Sequence, residues 1–215
     1  MSNDNSTPIV TEIDGSTAIV RFNRPAQRNP LSLDTLQELS RTTSALFARD
    51  DIPAIIFTGT EDVFASGANI NELAQLDTKA ALEFSRRGQE LFQTIADARL
   101  VTIAAINGYC MGGALDLALA CDIRVASPSA IFSHPGARLG IITGWGGTQR
   151  LPRIVGRANA LEFMLTARQY TALDALRVGL ITHVGNPVLN YALRLAKHKK
   201  EGGRTSATFP PSNKT

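Results

Sequence analysis

Between Ala104 and Arg150 the chain carries two glycine-rich turns, Asn107-Gly108-Tyr109-Cys110-Met111-Gly112-Gly113 and Gly144-Trp145-Gly146-Gly147. An apolar strand precedes the first turn and a helical pattern follows it. A strand that stops at Asn-Gly and restarts as a helix at a double glycine leaves backbone N–H groups unpaired at the positive end of a helix dipole. No Cβ blocks an approaching group there. The arrangement suits an anion or a developing oxyanion. It suits tight turns and close helix packing equally well, so the glycines alone leave both roles open.

The surrounding pattern alternates strands and helices. Ile9 to Ile13 and Thr17 to Phe22 read as a hairpin around Asp14-Gly15-Ser16. Ser32 or Asp34 caps a helix reaching Asp50, and Ala54 to Thr58 is a continuous apolar run that fits a parallel strand buried on both faces. Thr78 to Ala98 is an amphipathic helix, Val101 to Ile106 a second buried strand, Gly112 to Cys121 a helix and Ile123 to Ala126 a strand. Arg157 to Thr166 and Thr171 to Val178 are expected to be helices, with a strand from Leu180 to Val184 and a basic helix from Val188 to Lys200. The succession of strand, crossover and strand implies an α/β architecture. No repeat is visible in the sequence itself.

A length of 215 residues suits one domain with a substantial core, and 44% hydrophobic with 19% charged residues is the balance of a folded globular chain. A net charge of +3 argues against nucleic acid as a partner while leaving room for an anionic small molecule. Cys110 and Cys121 have neither Cys-x-x-Cys spacing nor neighbouring histidines, so no metal site is expected and they read as buried thiols of a reducing compartment. The polar start, Met1 to Pro8, lacks the parts of a secretory signal, and no long uncharged apolar run is present. A cytoplasmic location with no membrane partner is expected. The domain plan that follows is a disordered 1–8, a folded 9–184, and a short basic helix with a polar tail over 185–215.

Four segments carry a resemblance: Phe64-Ala65-Ser66-Gly67-Ala68-Asn69-Ile70; Ala105-Ile106-Asn107-Gly108-Tyr109 with Gly112-Gly113; Cys121-Asp122; and Leu139-Gly140-Ile141 leading to Gly146-Gly147-Thr148-Gln149-Arg150-Leu151-Pro152. Together, and in this order from Ile9 to about Val184, they resemble the crotonase superfamily, the enoyl-CoA hydratase/isomerase family. The resemblance implies a ClpP/crotonase-like spiral of ββα units that binds acyl-CoA, with the thioester carbonyl held by the backbone N–H groups of Ala68 and Gly113. By the same resemblance Gly67, Ile70 and Gly112 would be residues that bind the coenzyme A thioester there. Arg24-Pro25-Ala26-Gln27-Arg28-Asn29 resembles the family's contact with the nucleotide of coenzyme A, with Gln27 and Arg28 as the binding residues. Coenzyme A would arrive as part of the substrate, with no permanently bound cofactor.

The match to a hydratase is incomplete. The family's hydratases carry one glutamate where this chain has Asp116, and a second where it has Gly136. Hydration calls for two carboxyl groups with separate proton affinities, and glycine transfers no proton. Asp116 is the remaining acid/base candidate, and His134, two residues before Gly136, is a second. Asp116 as a structural carboxylate in the first turns of a helix, and His134 as a structural histidine, are the alternatives. One-carboxylate double-bond migration, decarboxylation of malonyl-type thioesters, or a catalytically silent CoA-binding or oligomerisation partner all tolerate Gly136. Gly144-Trp145-Gly146-Gly147 resembles the corresponding turn of superfamily members that lack the second glutamate, the malonyl-type-CoA decarboxylases and naphthoyl-CoA synthases, and Trp145 as a simply packed aromatic of core or rim is the alternative. Family members run on past the Gly179-Leu180-Ile181 region with helices that cover the acyl pocket and build a trimer or dimer of trimers, so the C-terminal helical region here is expected to be shortened.

Overall fold

The computed structural model describes residues 7–201, with the side chains of 198–201 left out of account. The chain opens with a hairpin of β1 (Ile9–Asp14) and β2 (Thr17–Phe22), followed by β3 (Pro30–Leu31) and α1 (Leu33–Phe47). Next come β4 (Ala54–Thr58), β5 (Val63–Ala65), β6 (Gly67–Ala68), α2 (Ile70–Leu73) and α3 (Thr78–Ala96). Then β7 (Val101–Ile106), β8 (Tyr109–Met111) and α4 (Gly113–Ala120) precede β9 (Ile123–Ala126), β10 (Ile131–Ser133) and α5 (Gly136–Leu139). The remainder is α6 (Gly147–Val155), α7 (Arg157–Thr166), β11 (Tyr170–Thr171), α8 (Ala172–Arg177), β12 (His183–Val184) and α9 (Val188–Glu201).

Two main sheets run through this order, beside a two-stranded pair of β3 and β6. The larger is β1-β2-β4-β7-β9-β12, parallel throughout except for the opening hairpin; the smaller is β11-β10-β8-β5. Strands β4, β7 and β9 are neighbours in the first sheet, and β5, β8 and β10, each next in sequence, are neighbours in the second. Each turn of chain therefore lays one strand in each sheet and then a helix. This is the ββα spiral expected from the resemblance, repeating in space although the sequence does not repeat.

Side chains alternate across the large sheet with the period of two that strands impose. Ala18, Val20, Ile55, Phe57, Ala104 and Ile106 join the main core, whereas Ala54, Ile56, Ile103, Ala105 and Val125 form a second cluster on the other face. Val188, Ala192 and Ala196 of α9 complete that second cluster. Their spacing of four puts them on one side of the helix, and this is why β4 is buried at every position. The basic face expected for this helix ends in a run, Lys197 to Lys200, that lies largely outside the described side chains.

α4 is buried from Ala114 to Ala120 and sits inside the molecule. Arg124, only 8% exposed, closes its far end by donating to Ala118 O, Cys121 O and Leu180 O at 3.4, 2.6 and 2.8 Å. Carbonyls left over at the helix C-terminus thus find a partner. The Cys121-Asp122 pair has a matching role: the Asp122 carboxylate accepts from Thr102 N at 2.8 Å and from its hydroxyl at 3.0 Å, tying β9 to β7. Cys110 and Cys121 are free and buried, and burial pushes the Cys121 thiol up to about 12.

Several boundaries differ from the sequence expectation. Ser32, not Asp34, caps α1, which stops at Phe47 rather than Asp50; α3 stops at Ala96, two residues short. The helix expected from Thr171 to Val178 spans only Ala172–Arg177, because Thr171 pairs with Ile131 and serves as N-cap. The strand expected over Leu180 to Val184 shrinks to β12, since Leu180 and Ile181 turn inward as core residues. Helix α6, built on the second glycine turn with Pro152 in its interior, was not anticipated. Glycine and proline disguised it. The short strands of the second sheet were not anticipated either, because two or three residues carry no readable period. At the N-terminus, where disorder was expected over 1–8, Pro8 O accepts from Asn23 N at 3.0 Å, and residues 1–6 lie outside the described part. The polar tail expected over Thr205 to Thr215 lies outside it as well.

Candidate active site

The two glycine turns meet at the N-terminus of α4. Gly112 adopts φ +54° as its N-cap, and Gly113 is its first residue, so the Gly113 N–H has no acceptor within the helix. Strand β6 runs alongside. Gly67, at φ +85°, lies so close that a Cβ there would stand 2.6 Å from Met111 O and 2.8 Å from Gly113 N. Glycine at 67 therefore allows Ala68 to come up beside Gly113. Strand β3 holds β6 from the other side by parallel pairing of Leu31 with Ala68.

These residues open into one cavity of about 620 Å³. Ala68, Gly112 and Gly113 form part of its wall, Ile70, Leu73 and Phe84 line it from α2 and α3, and His134, Gly136, Ile141 and Trp145 complete the lining. The lining is predominantly apolar with few polar groups, the usual character of a small-molecule site. Of the sequence candidates, Ala68, Gly113, Gly112, Ile70 and His134 line this cavity; Gly67 and Asp116 stand behind its wall. Gln27 and Arg28 are exposed and stand apart from it, on the turn after β2, where the Arg28 guanidinium lies 4.9 Å from the centre of the Tyr109 ring. Gln27 and Arg28 thus lie on the surface and outside the lining of the cavity.

Asp116 is fully buried, and its surroundings explain its charge. The Thr143 hydroxyl donates to Oδ2, the amides of Trp145 and Gly147 face the carboxylate, and Arg150 lies near enough to favour its ionised form. Burial outweighs them all and raises the pKa from 3.8 to about 6. A Cβ at Gly147 would stand 2.1 Å from Asp116 Oδ1, so the second glycine turn closes directly onto this group. His134, buried with no counter-charge strong enough to compensate, is pushed down to about 4. Its Nε2 lies 3.4 Å from Asp116 Oδ1, and neither atom makes a well-formed hydrogen bond among the described residues. Near pH 7 the pair is a carboxylate beside a neutral imidazole, with His134 on the cavity side. The structure thus brings two buried groups of different proton affinity together at a cavity wall, with Asp116 Oδ1 and His134 Nε2 the atoms left without a hydrogen bond among the described residues.

Sequence reasoning missed three contributors. Thr143 and Arg150 sit in or beside the quoted motifs but reveal their role only when the loop folds over α4. Asn29, at φ +49° and 2% exposed, donates to Val63 O at 3.0 Å and accepts from Arg24 N at 2.7 Å, which fastens the Arg28 turn to β5. Its readable signal is that asparagine tolerates the left-handed conformation. Among the described residues there is no group of three or more His, Cys, Asp or Glu side chains able to hold a metal, and no helix long and apolar enough to cross a membrane.

Comparison with known proteins agrees with this geometry. The family model described as enoyl-CoA hydratase/isomerase matches residues 12–209. The short-chain-enoyl-CoA hydratase of Clostridium acetobutylicum is 37% identical over 191 residues, covering 87% of this chain and 73% of that protein. The crotonyl-CoA hydratase of Syntrophomonas wolfei is 38% identical over 180 residues, covering 83% and 69%. Among solved structures, Pseudomonas aeruginosa DspI superimposes with a TM-score of 0.87 at 38% identity, covering 93% of this chain and 83% of that one. The enoyl-CoA hydratase of Bacillus anthracis gives 0.87 at 30% identity, covering 91% and 78%. With the two-sheet spiral, the paired glycine turns and this breadth of similarity all in agreement, the chain is a member of the enoyl-CoA hydratase/isomerase family, within the crotonase superfamily.

Proposed function

We propose that this protein is an enzyme acting on acyl-CoA thioesters, in which the N–H groups of Ala68 and Gly113 hold the thioester oxygen while the Asp116–His134 pair moves a proton at the neighbouring carbons. The observation that carries the reading is the convergence of Ala68, Gly113 and His134 on one cavity, with Asp116 3.4 Å behind His134. Removing a proton next to a thioester, or adding water across its double bond, places negative charge on that oxygen. Two aimed amide donors stabilise it by roughly 3 kcal/mol each. Asp116, poised near 6, accepts the proton as carboxylate and returns it as acid. His134, neutral and on the cavity wall, passes it between Asp116 and the substrate.

Coenzyme A enters as the carrier of the acyl group, its anionic end toward Gln27 and Arg28. The stacking of Arg28 on Tyr109 supports an ordered cation there. A homo-oligomer, as a trimer or dimer of trimers, belongs to this reading; exposed Leu139, Ile142 and Leu165 support it as apolar side chains in need of cover. The two buried free thiols support a reducing, cytoplasmic setting.

Gly136 bears on which reaction occurs. A Cβ at this position would stand 2.6 Å from Ile141 O, and Ile141 N donates to Gly136 O at 3.0 Å. The turn is closed around the glycine, leaving no room for the second carboxylate that hydratases use. Gly136→Glu is therefore expected to lower thermal stability without raising crotonyl-CoA hydration, as followed by loss of enoyl absorbance. The decisive experiment for the whole reading incubates the protein with 2-enoyl-, 3-enoyl-, 3-hydroxyacyl- and malonyl-type CoA esters and follows products by mass. Interconversion of enoyl or hydroxyacyl esters supports it. Carbon dioxide release from malonyl-type esters alone would point to decarboxylation instead, a reaction that needs the oxyanion donors but no second carboxylate. Binding without turnover of any ester would make the chain a silent CoA-binding partner and remove the catalytic role.

A further inference from the structure

Trp145, the only tryptophan in the sequence, is 3% exposed and still forms part of the cavity wall. Its seat is unusually constrained. A Cβ at Gly88 of α3 would stand 2.2 Å from indole Cδ1, and one at Gly113 of α4 would stand 2.3 Å from Cζ3. The ring thus spans the space between two helices at two glycines, its pyrrole edge on α3 and its benzo edge on α4. Phe84 and Phe92 fix it from the side with ring centres 5.1 and 5.6 Å away, and its N–H donates to Phe84 O at 3.3 Å. Such a side chain has neither rotamer freedom nor an unpaired polar atom. It is a rigid stop.

We infer that Trp145 determines acyl-chain length: its indole closes the cavity between α3 and α4, so that the thioester carbonyl rests at Gly113 and the chain ends against the ring. The inference rests on the acyl-CoA reading above and adds the residue that sets its substrate class. The contact with Gly113 makes the limit sharp, because the wall that stops the chain and the amide that holds the carbonyl share one point of the backbone. A chain too long for the space displaces its own carbonyl from the donor. The loss therefore appears in kcat/KM for long esters rather than uniformly across all esters.

The test compares wild type, Trp145→Phe and Trp145→Ala on 2-enoyl-CoA esters of four to ten carbons. The ratio of kcat/KM for the longest to the shortest ester is expected to rise about tenfold or more in Trp145→Ala, with Trp145→Phe between, as a gain of several methylenes of pocket implies. A proportionate fall at every length overturns the inference, since a merely structural tryptophan would act that way. The wild type alone supplies a second readout that needs no variant. Its tryptophan emission is expected to change progressively with acyl length on titration, and to change little with coenzyme A lacking an acyl group. Binding of enoyl-CoA seen by calorimetry without any change in emission also overturns it. If the wild type neither binds nor converts any ester, the acyl-CoA reading itself falls and takes this inference with it; conversion with unaltered length preference removes the role of Trp145 alone.

Discussion

Asp116→Asn is expected to lower turnover of the preferred thioester by about a thousandfold, the scale on which a positioned acid/base group contributes, while making the protein more stable at neutral pH. The two effects have one origin. Burial holds the Asp116 pKa at about 6 against 3.8 ordinarily, so folding disfavours the charged form. The stabilising share of this group is fully present below the unfolded value, declines as pH rises from there through about 6, and is gone above it. At pH 7 the folded protein carries a buried carboxylate at a cost on the order of 3 kcal/mol. Asparagine removes the charge and retains an oxygen to accept from Thr143.

Thermal melts at two pH values check the prediction. The stability gain of Asp116→Asn should be plain at pH 7 and shrink toward nothing near pH 4. A carboxylate serving only structure would show the reverse, a loss on substitution at neutral pH. In the wild type, kcat/KM should climb with pH to a plateau above about 6 as Asp116 ionises, with His134 neutral throughout because its pKa lies near 4. A pH profile flat from 5 to 8 with undiminished Asp116→Asn activity would remove Asp116 from the chemistry.

Gly67→Ala should be nearly as damaging by a different route. Gly67 has φ +85°, and its missing Cβ faces two backbone atoms, Met111 O at 2.6 Å and Gly113 N at 2.8 Å, neither of which belongs to a side chain that can rotate away. Adding a methyl forces β6 away from the start of α4 and separates Ala68 from Gly113. Activity is expected to fall by about 10² to 10³, as when an oxyanion donor is lost, and stability by about 1–3 kcal/mol from the strained conformation and the clash. Gly15→Ala is the matched control: its φ is +63° but nothing lies within 4 Å of the new methyl. That variant should lose about 1 kcal/mol of stability from strain alone and retain full kcat/KM. Equal loss of activity in both variants would show that general destabilisation, and not the placement of Ala68, is responsible.

The residues that could be read without coordinates are those whose signal is local. The apolar runs of β4 and β7 announced buried parallel strands, and the covering of both faces has a visible cause in α9. Gly112-Gly113 announced a break followed by a helix start, while leaving open whether the glycines served an anion site or only tight packing. The motif pattern gave the family, and Asp116 and His134 were recognisable as the titratable residues near it.

What stayed hidden depends on contacts between distant segments. Thr143 reaches Asp116 only because the loop before α6 folds over α4, and no spacing rule records a hydrogen bond across that gap. Trp145 could be core or rim until Gly88 and Gly113 were seen to leave a slot the width of its ring. Gly136 looked like a missing glutamate; the structure makes it a position where no side chain fits. The elevated pKa of Asp116 is likewise invisible in its sequence neighbourhood, since it arises from the removal of water by α4, α6 and the cavity wall together. The sequence by itself determined the strands, the helix starts and the family, all consequences of side-chain period and backbone freedom along short stretches. Only the tertiary structure decided which groups share a cavity and in what protonation state, because desolvation and close approach are properties of the packed whole.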